Sequence, residues 1–144
     1  MMDIAKMTRE EIPEVAELER RIFSMPWSEQ GFYDTLDMEN VIFLTAKEDG
    51  QVWGYCGIYL AADEGEITNV AVAPERRRQG IAGKLVRTLM EEAGAFGARS
   101  FILEVRASNI GAIRLYEKLG FMPNGIRKNF YQDPKEDAIV MMNQ

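Results

Sequence analysis

Glu66-Ile67-Thr68-Asn69-Val70-Ala71-Val72-Ala73-Pro74-Glu75-Arg76-Arg77-Arg78-Gln79-Gly80-Ile81-Ala82-Gly83-Lys84 is the stretch that decides the fold. Residues 66–73 alternate like a strand and stop at Pro74. Leu85, Val86, Leu89 and Met90 then recur at helical spacing, which predicts a helix over 80–96 ending at Gly97. A strand that turns through Arg and Gly into a helix presents unpaired amides and a positive dipole end. Such a place binds phosphates. A solvated, charged turn is the other reading of an Arg-rich loop. Gly80 and Gly83 argue against it, because they stand where a close backbone approach needs them.

The loop is neither of the commoner phosphate motifs. A Walker loop needs Gly at position 78, where Arg78 stands, and Gly-x-Gly-x-x-Gly is absent. A nucleotide hydrolase is therefore excluded. What remains is Arg77-x-x-Gly80-x-Ala82 at a strand-to-helix turn.

Working outward, Thr8 with Glu10 and Glu11 reads as a helix start. Ile12, Val15, Ala16, Leu18, Glu19, Ile22 and Phe23 continue that helix with one apolar face. Pro26 interrupts, and Ser28 caps a short second helix carrying Phe32, Tyr33 and Leu36. Strands are predicted over 41–47 and 51–60, joined at Glu48-Asp49-Gly50, and a turn over 61–65 leads into the strand 66–73. Beyond the first long helix come a strand at 99–106, a helix at 109–119 ending at Gly120, and strands at 121–131 and 137–143. An antiparallel meander feeding a strand–helix–strand–helix unit predicts an α/β mixed sheet with helices on its faces.

The chain has 144 residues, a length that predicts one domain over 1–144. With 47% hydrophobic and 28% charged residues it reads as globular. No apolar stretch approaches the roughly 18–20 residues of a membrane span. The start lacks the basic and apolar regions of a signal peptide, so a cytoplasmic location is expected. Cys56, the one cysteine, lies in an alternating run and reads as a buried structural thiol. The chain has no histidine, which removes Ser-His and Cys-His machinery and most zinc sites. Acid–base work falls to carboxylates, Tyr, Lys or water, and no metal is expected. A net charge of −6 argues against general nucleic-acid binding. It suits a cationic substrate, with the local Arg cluster reserved for an anionic cofactor.

A second constellation is Leu103-Glu104-Val105-Arg106-Ala107-Ser108-Asn109, continuing through Ala112, Leu115-Tyr116-Glu117 and Gly120-Phe121. Glu104 interrupts an apolar run. Taken singly, Glu104 reads as a residue of a polar sheet face, Tyr116 as a partly buried helix aromatic, and Ser108 or Asn109 as an N-cap.

Taken with the strand ending at Pro74 and the Arg77-Arg78-Gln79-Gly80-Ile81-Ala82 turn, the constellation resembles the GNAT superfamily of acetyl-CoA-dependent N-acetyltransferases. The likeness runs over essentially the whole chain. Within the superfamily it is most similar to the RimI-type enzymes, on Pro26-Trp27-Ser28, residues 103–109, and Tyr131 followed by Glu136-Asp137-Ala138. Those enzymes acetylate the amino-terminal alanine of a small-subunit ribosomal protein.

The resemblance implies a sheet of about seven strands with four helices, in which the strand at Val70, Ala71 and Val72 splays from its parallel neighbour at 101–105. Free backbone groups there would pair with the pantetheine arm of acetyl-CoA. Amides of Arg78, Gln79, Gly80, Ile81, Ala82 and Gly83, with Arg77, would hold the pyrophosphate, and Asn109 would reach the cofactor near its pantetheine. Glu104 would be the general base, Tyr116 the acid that protonates the departing thiolate, and the Val72 N–H a donor to the thioester oxygen. Trp27 and Tyr131 would border the entrance of the acceptor peptide, with no nucleic acid or membrane partner. Two other functions share these residues: a small-molecule amine acetyltransferase and a non-catalytic acyl-CoA-binding module.

Overall fold

A computed structural model describes residues 2–144. In chain order the elements are β1 (Asp3–Lys6), α1 (Ile12–Ile22), α2 (Glu29–Leu36), β2 (Val41–Glu48), β3 (Gln51–Ala61), β4 (Glu64–Val72), α3 (Ile81–Ala95), β5 (Ser100–Arg106), α4 (Ile110–Lys118), β6 (Met122–Gln132) and β7 (Lys135–Asn143). Short 3-10 turns at Arg9–Glu11 and Pro74–Arg76 precede α1 and α3. The strands form a seven-stranded sheet in the order β1-β2-β3-β4-β5-β7-β6. All neighbours are antiparallel except β4 and β5. The α/β mixed sheet with four helices is as expected. No helix among the described residues is long and apolar enough to cross a membrane.

Four details differ from the sequence expectation. Strand β1 was not foreseen: its four residues are mostly exposed, so no apolar alternation marks them. The hairpin between β3 and β4 is tighter than the predicted turn over 61–65, with Ala62 in the left-handed region at φ 55°. β7 begins two residues earlier than the predicted 137. β6 runs on through the turn-like Pro123-Asn124-Gly125, but its pairing with β7 breaks there and again between Arg127 and Tyr131.

Alternation along the strands divides the core between the two faces of the sheet. Ile42, Leu44, Cys56, Ile58 and Val72 join Leu85, Val86 and Leu89 of α3 and Tyr116 of α4. Phe43, Tyr55 and Ala71 join Val15, Ala16 and Leu18 of α1 and Phe32 of α2. Each fully buried Leu, Val or Phe contributes about 1.5–3 kcal/mol through removal from water. Helix α4 stops with a 6→1 bond from the Phe121 N–H to the Tyr116 carbonyl at 2.9 Å, with Gly120 at φ 96°. Phe121 then packs on the Tyr116 ring with centroids 5.8 Å apart.

The feature that matters for function is a slip in register between β3 and β4. Gly57 pairs with Asn69 and Ile58 with Ile67, so Thr68 is an extra, unpaired residue. Such a bulge bends its strand and sharpens its twist. Pairing of β4 with β5 ends at Glu66 and Ile102, one residue before the pairing slip begins. The two parallel strands separate from there on.

Gly57 beside the bulge is roofed by the Phe43 ring, and an added Cβ would lie 2.4 Å from its Cε1. Trp27 and Phe32 pack on that same ring, which therefore has nowhere to go. Gly57→Ala is predicted to lower the free energy of unfolding by about 1–3 kcal/mol, the scale of overpacking. Urea denaturation of the variant checks this.

Candidate active site

The separation of β4 and β5 opens a cleft of about 660 Å³ lined by Ile67, Asn69, Val70, Leu103, Glu104, Asn109 and Tyr116 among others. Residues 70–72 keep their pairing with β3, while no partner strand takes their other edge. The N–H of Ala73 bonds to the Trp53 carbonyl of β3 at 2.8 Å. By ladder alternation, Val70 and Val72 turn their polar groups toward the cleft. The Val72 carbonyl indeed accepts from Arg77 Nε at 3.3 Å, from outside the sheet.

The loop expected to be the anion site joins β4 to α3, following the cleft-lining Val70 along the chain. Arg78 at φ 65° and Gly80 at φ 79° both lie in the left-handed region. No protein atom crowds the Gly80 Cβ position, so its glycine serves the backbone conformation. Lys84 donates to the Gly80 carbonyl at 3.1 Å, the first helical bond of α3. The amides from Arg78 to Gly83 meet no acceptor among the described residues. The Arg triplet divides its work. Arg76 is held by Glu48 at 2.7 Å and lies 4.4 Å over the Trp53 ring. Arg77 turns back to the strand, and Arg78 alone has no partner among the described residues.

Glu104 and Tyr116 reach the cleft from opposite faces of the sheet. Leu103 and Val105 face α3 and α4, so Glu104 between them faces the α1 and α2 side. Burial raises the Glu104 carboxyl above the ordinary carboxylate value. Arg127 Nε, 3.4 Å away, opposes that shift, and Glu66 adds to it. Tyr116 comes from the other side, 7% exposed. Burial pushes its phenol well above the ordinary value, with smaller contributions from Cys56 and Tyr131. Cys56 is buried, its Sγ 3.7 Å from the Leu85 carbonyl, and burial raises its thiol too. It packs as a structural thiol.

Asn109 caps α4, its Oδ1 accepting from the Ala112 N–H at 3.2 Å. Its side-chain amide remains available at the cleft wall. On the α1 and α2 side the mouth is bordered by Ser24, Met25 and Trp27 and, opposite them, by Phe130, Tyr131 and Asp133. The Ser24 hydroxyl donates to the Asp133 carbonyl and ties the two rims together. Trp27 borders the cleft, yet its ring also packs on Phe32 with centroids 5.2 Å apart. Tyr131 is half-buried beneath the Arg106 guanidinium at 4.3 Å.

Sequence reading missed three supports. Glu19 is 2% exposed, accepting from the Tyr55 hydroxyl and, at 3.0 Å, from the Trp27 N–H. A carboxylate within an apolar helical stripe was the available signal. Glu136 takes Arg106 at 3.1 Å and the Ser108 N–H at 2.7 Å, fixing the β6–β7 hairpin to the start of α4. Arg127 is the third, and nothing in its exposed, turn-rich surroundings marks it.

The acetyltransferase (GNAT) family model matches residues 12–121. The chain belongs to this family. A Bacillus subtilis protein named as a candidate [ribosomal protein bS18]-alanine N-acetyltransferase is 42% identical over 140 residues, covering 96% of this chain and 92% of that protein. The ribosomal-protein-S18-alanine N-acetyltransferase of Escherichia coli superposes with a TM-score of 0.90 at 34% identity, over 99% of this chain and 93% of that one. Arabidopsis thaliana NAA60, solved with acetyl-CoA, has the same fold, with a TM-score of 0.88 at 18% identity over 99% and 98% of the two chains.

Glu19→Ala leaves the Tyr55 hydroxyl and the Trp27 N–H without their acceptor. The variant is predicted to lose about 2 kcal/mol or more of stability, given about 1–3 kcal/mol per unsatisfied buried group. Tyr55→Phe should cost less, because Glu19 keeps its second bond. Paired denaturation curves check the order.

Proposed function

We propose that this chain is an acetyl-CoA-dependent Nα-acetyltransferase acting on the amino-terminal alanine of a small-subunit ribosomal protein. The whole chain, 1–144, acts as one GNAT domain. The observation that carries the reading is the gap through the sheet, with a carboxylate on one face and a phenol on the other. An amine entering beside Glu104 and a thioester held on the α3 and α4 side would meet between the separated strands. The names of the two relatives above 30% identity supply the acceptor.

The residues fit acetyl-CoA as co-substrate. The orphan amides of 78–83, with Arg78 beside them, suit a pyrophosphate. The outward groups of Val70 and Val72 suit the amides of a pantetheine arm, and the Asn109 amide can add a further bond. The Val72 N–H would polarise the thioester oxygen.

Glu104 takes a proton from the α-ammonium, which has an ordinary pKa of about 7.7–8.0. That value leaves about a tenth of the amine neutral near pH 7, so the base is asked for little and positioning supplies more of the rate. The amine nitrogen bonds to the acetyl carbon while the carbon–sulfur bond breaks, and the nitrogen then loses its second proton to water. Tyr116 hydrogen-bonds the leaving sulfur and delivers its proton. Solvent then receives the proton from Glu104 and restores the one on Tyr116. Burial keeps Tyr116 in its O–H form, the form an acid requires. No covalent enzyme intermediate is needed, in keeping with a chain without histidine. The net charge of −6 favours a basic acceptor peptide.

The test is mass spectrometry of peptides beginning in Ala after incubation with acetyl-CoA. Acetylation at the α-amine is expected, and faster turnover of polyamines or free lysine than of any peptide would overturn the reading. Tyr116→Phe and Glu104→Gln should each lower kcat, Tyr116→Phe by about a hundredfold and Glu104→Gln by less. Both should still bind coenzyme A. The pH profile supplies a further check. The rate should rise as the amine loses its proton and then stay level to about pH 10, because the Tyr116 phenol titrates above its ordinary value of about 10. A fall beginning below pH 9 would remove Tyr116 as the acid.

A further inference from the structure

The carboxylate of Glu104 makes no hydrogen bond among the described residues. Its one cationic neighbour, Arg127, comes from β6, beyond the intervening β7. The contact is 3.4 Å, an ion pair without a hydrogen bond. Its side chains are unequal in exposure, 57% for Arg127 and 12% for Glu104. Otherwise Arg127 has only the Phe130 ring, 5.7 Å away. Nearby Arg106 is held quite differently, by Glu136 and the carbonyls of Asp133 and Pro134. Arg106 is fixed and Arg127 is tethered at one end only.

Apart from Arg106, which Glu136 and two carbonyls hold, the other charged or titratable groups on this side supply Glu104 with no cation. Glu66 on β4 repels it, and the Tyr131 hydroxyl on β6 is neutral, pushed up by burial and by Glu104 itself. Glu19 in the same cleft is satisfied by Tyr55 and Trp27.

We propose that Arg127 is an exchangeable counter-ion, pairing with Glu104 while the acceptor side of the cleft is empty and giving way to the acceptor's α-ammonium. This rests on the acetyltransferase reading above. An incoming ammonium can form a charge-assisted hydrogen bond of about 2.7–2.9 Å, which a guanidinium at 3.4 Å does not make. Arg127 loses little on release, since an exposed cation is readily solvated. The ammonium proton then passes to Glu104, and the neutral amine attacks. When the product leaves, the return of Arg127 favours loss of that proton to solvent, which readies Glu104 for the next amine.

The experiment uses the full chain with Arg127→Ala and Arg127→Lys. Carboxyl-carbon NMR, with the Glu104 signal assigned through Glu104→Gln, gives its titration midpoint. Removal of Arg127 should raise the midpoint by about half a unit, and Arg127→Lys should restore most of the difference. The peptide KM at pH 8 and saturating acetyl-CoA should fall in Arg127→Ala, by up to about fivefold, because a competitor has gone. An unchanged midpoint overturns the pairing. A KM that rises overturns the displacement and makes Arg127 a contact of the peptide. The titration needs no turnover, so the two readings fail separately. A parent that acetylates no peptide yet shows the midpoint shift overturns the function and not the pairing.

Discussion

One unpaired residue, Thr68, determines where this sheet comes apart. Had β4 continued in register, the backbone groups of Val70 and Val72 would be tied to β5. The cleft would then be an ordinary parallel ladder. The extra residue turns β4 away just after Glu66, so the unpaired edge is created by the strand that also leads into the anion loop. On the proposed reading, this single slip in register would free the strand edge that meets the pantetheine arm and leads toward the loop at 77–80. The cost of an unpaired strand edge is tolerable because the exposed groups face a solvated cleft.

In the proposed mechanism, the sheet would also let acid and base work together without meeting. Period-two alternation sends Glu104 to one face while α4 brings Tyr116 to the other. Each titrating group therefore has its own surroundings. Tyr116 is sealed under Phe121 and the α3 core, which holds it neutral. Glu104 is only partly covered and stands between Arg127 and Glu66. On the proposed reading, the same division would keep the acceptor's entrance, between the Trp27 and Tyr131 rims, apart from the coenzyme's.

Much of this was legible in residue order because the signals were local. The strand–Pro74–Arg–Gly80–helix run marked the turn between β4 and α3, and Glu104 stood out as an interruption of the apolar run 101–103. Ser28 at the start of α2 and the glycines at 97 and 120 marked helix ends correctly, each by backbone chemistry. What escaped was long-range. Glu19 and Tyr55 are 36 residues apart, and no local pattern joins them. Arg127 on β6 reaches Glu104 on β5 across the intervening β7, a neighbourhood no local pattern shows. Strand β1 has too few buried positions to show a period. The Arg triplet looked like one anion site, but Arg76 belongs to Glu48 and Trp53, a pairing set by the β2–β3 hairpin.

The most direct measurement is a crystal structure with coenzyme A joined through an acetyl bridge to the amine of an alanyl peptide. The pantetheine should run between β4 and β5 with its diphosphate on the amides of 78–83. The bridge nitrogen should lie on the Glu104 side and the sulfur on the Tyr116 side. A closed gap, or a ligand wholly on one face of the sheet, would contradict transfer through it.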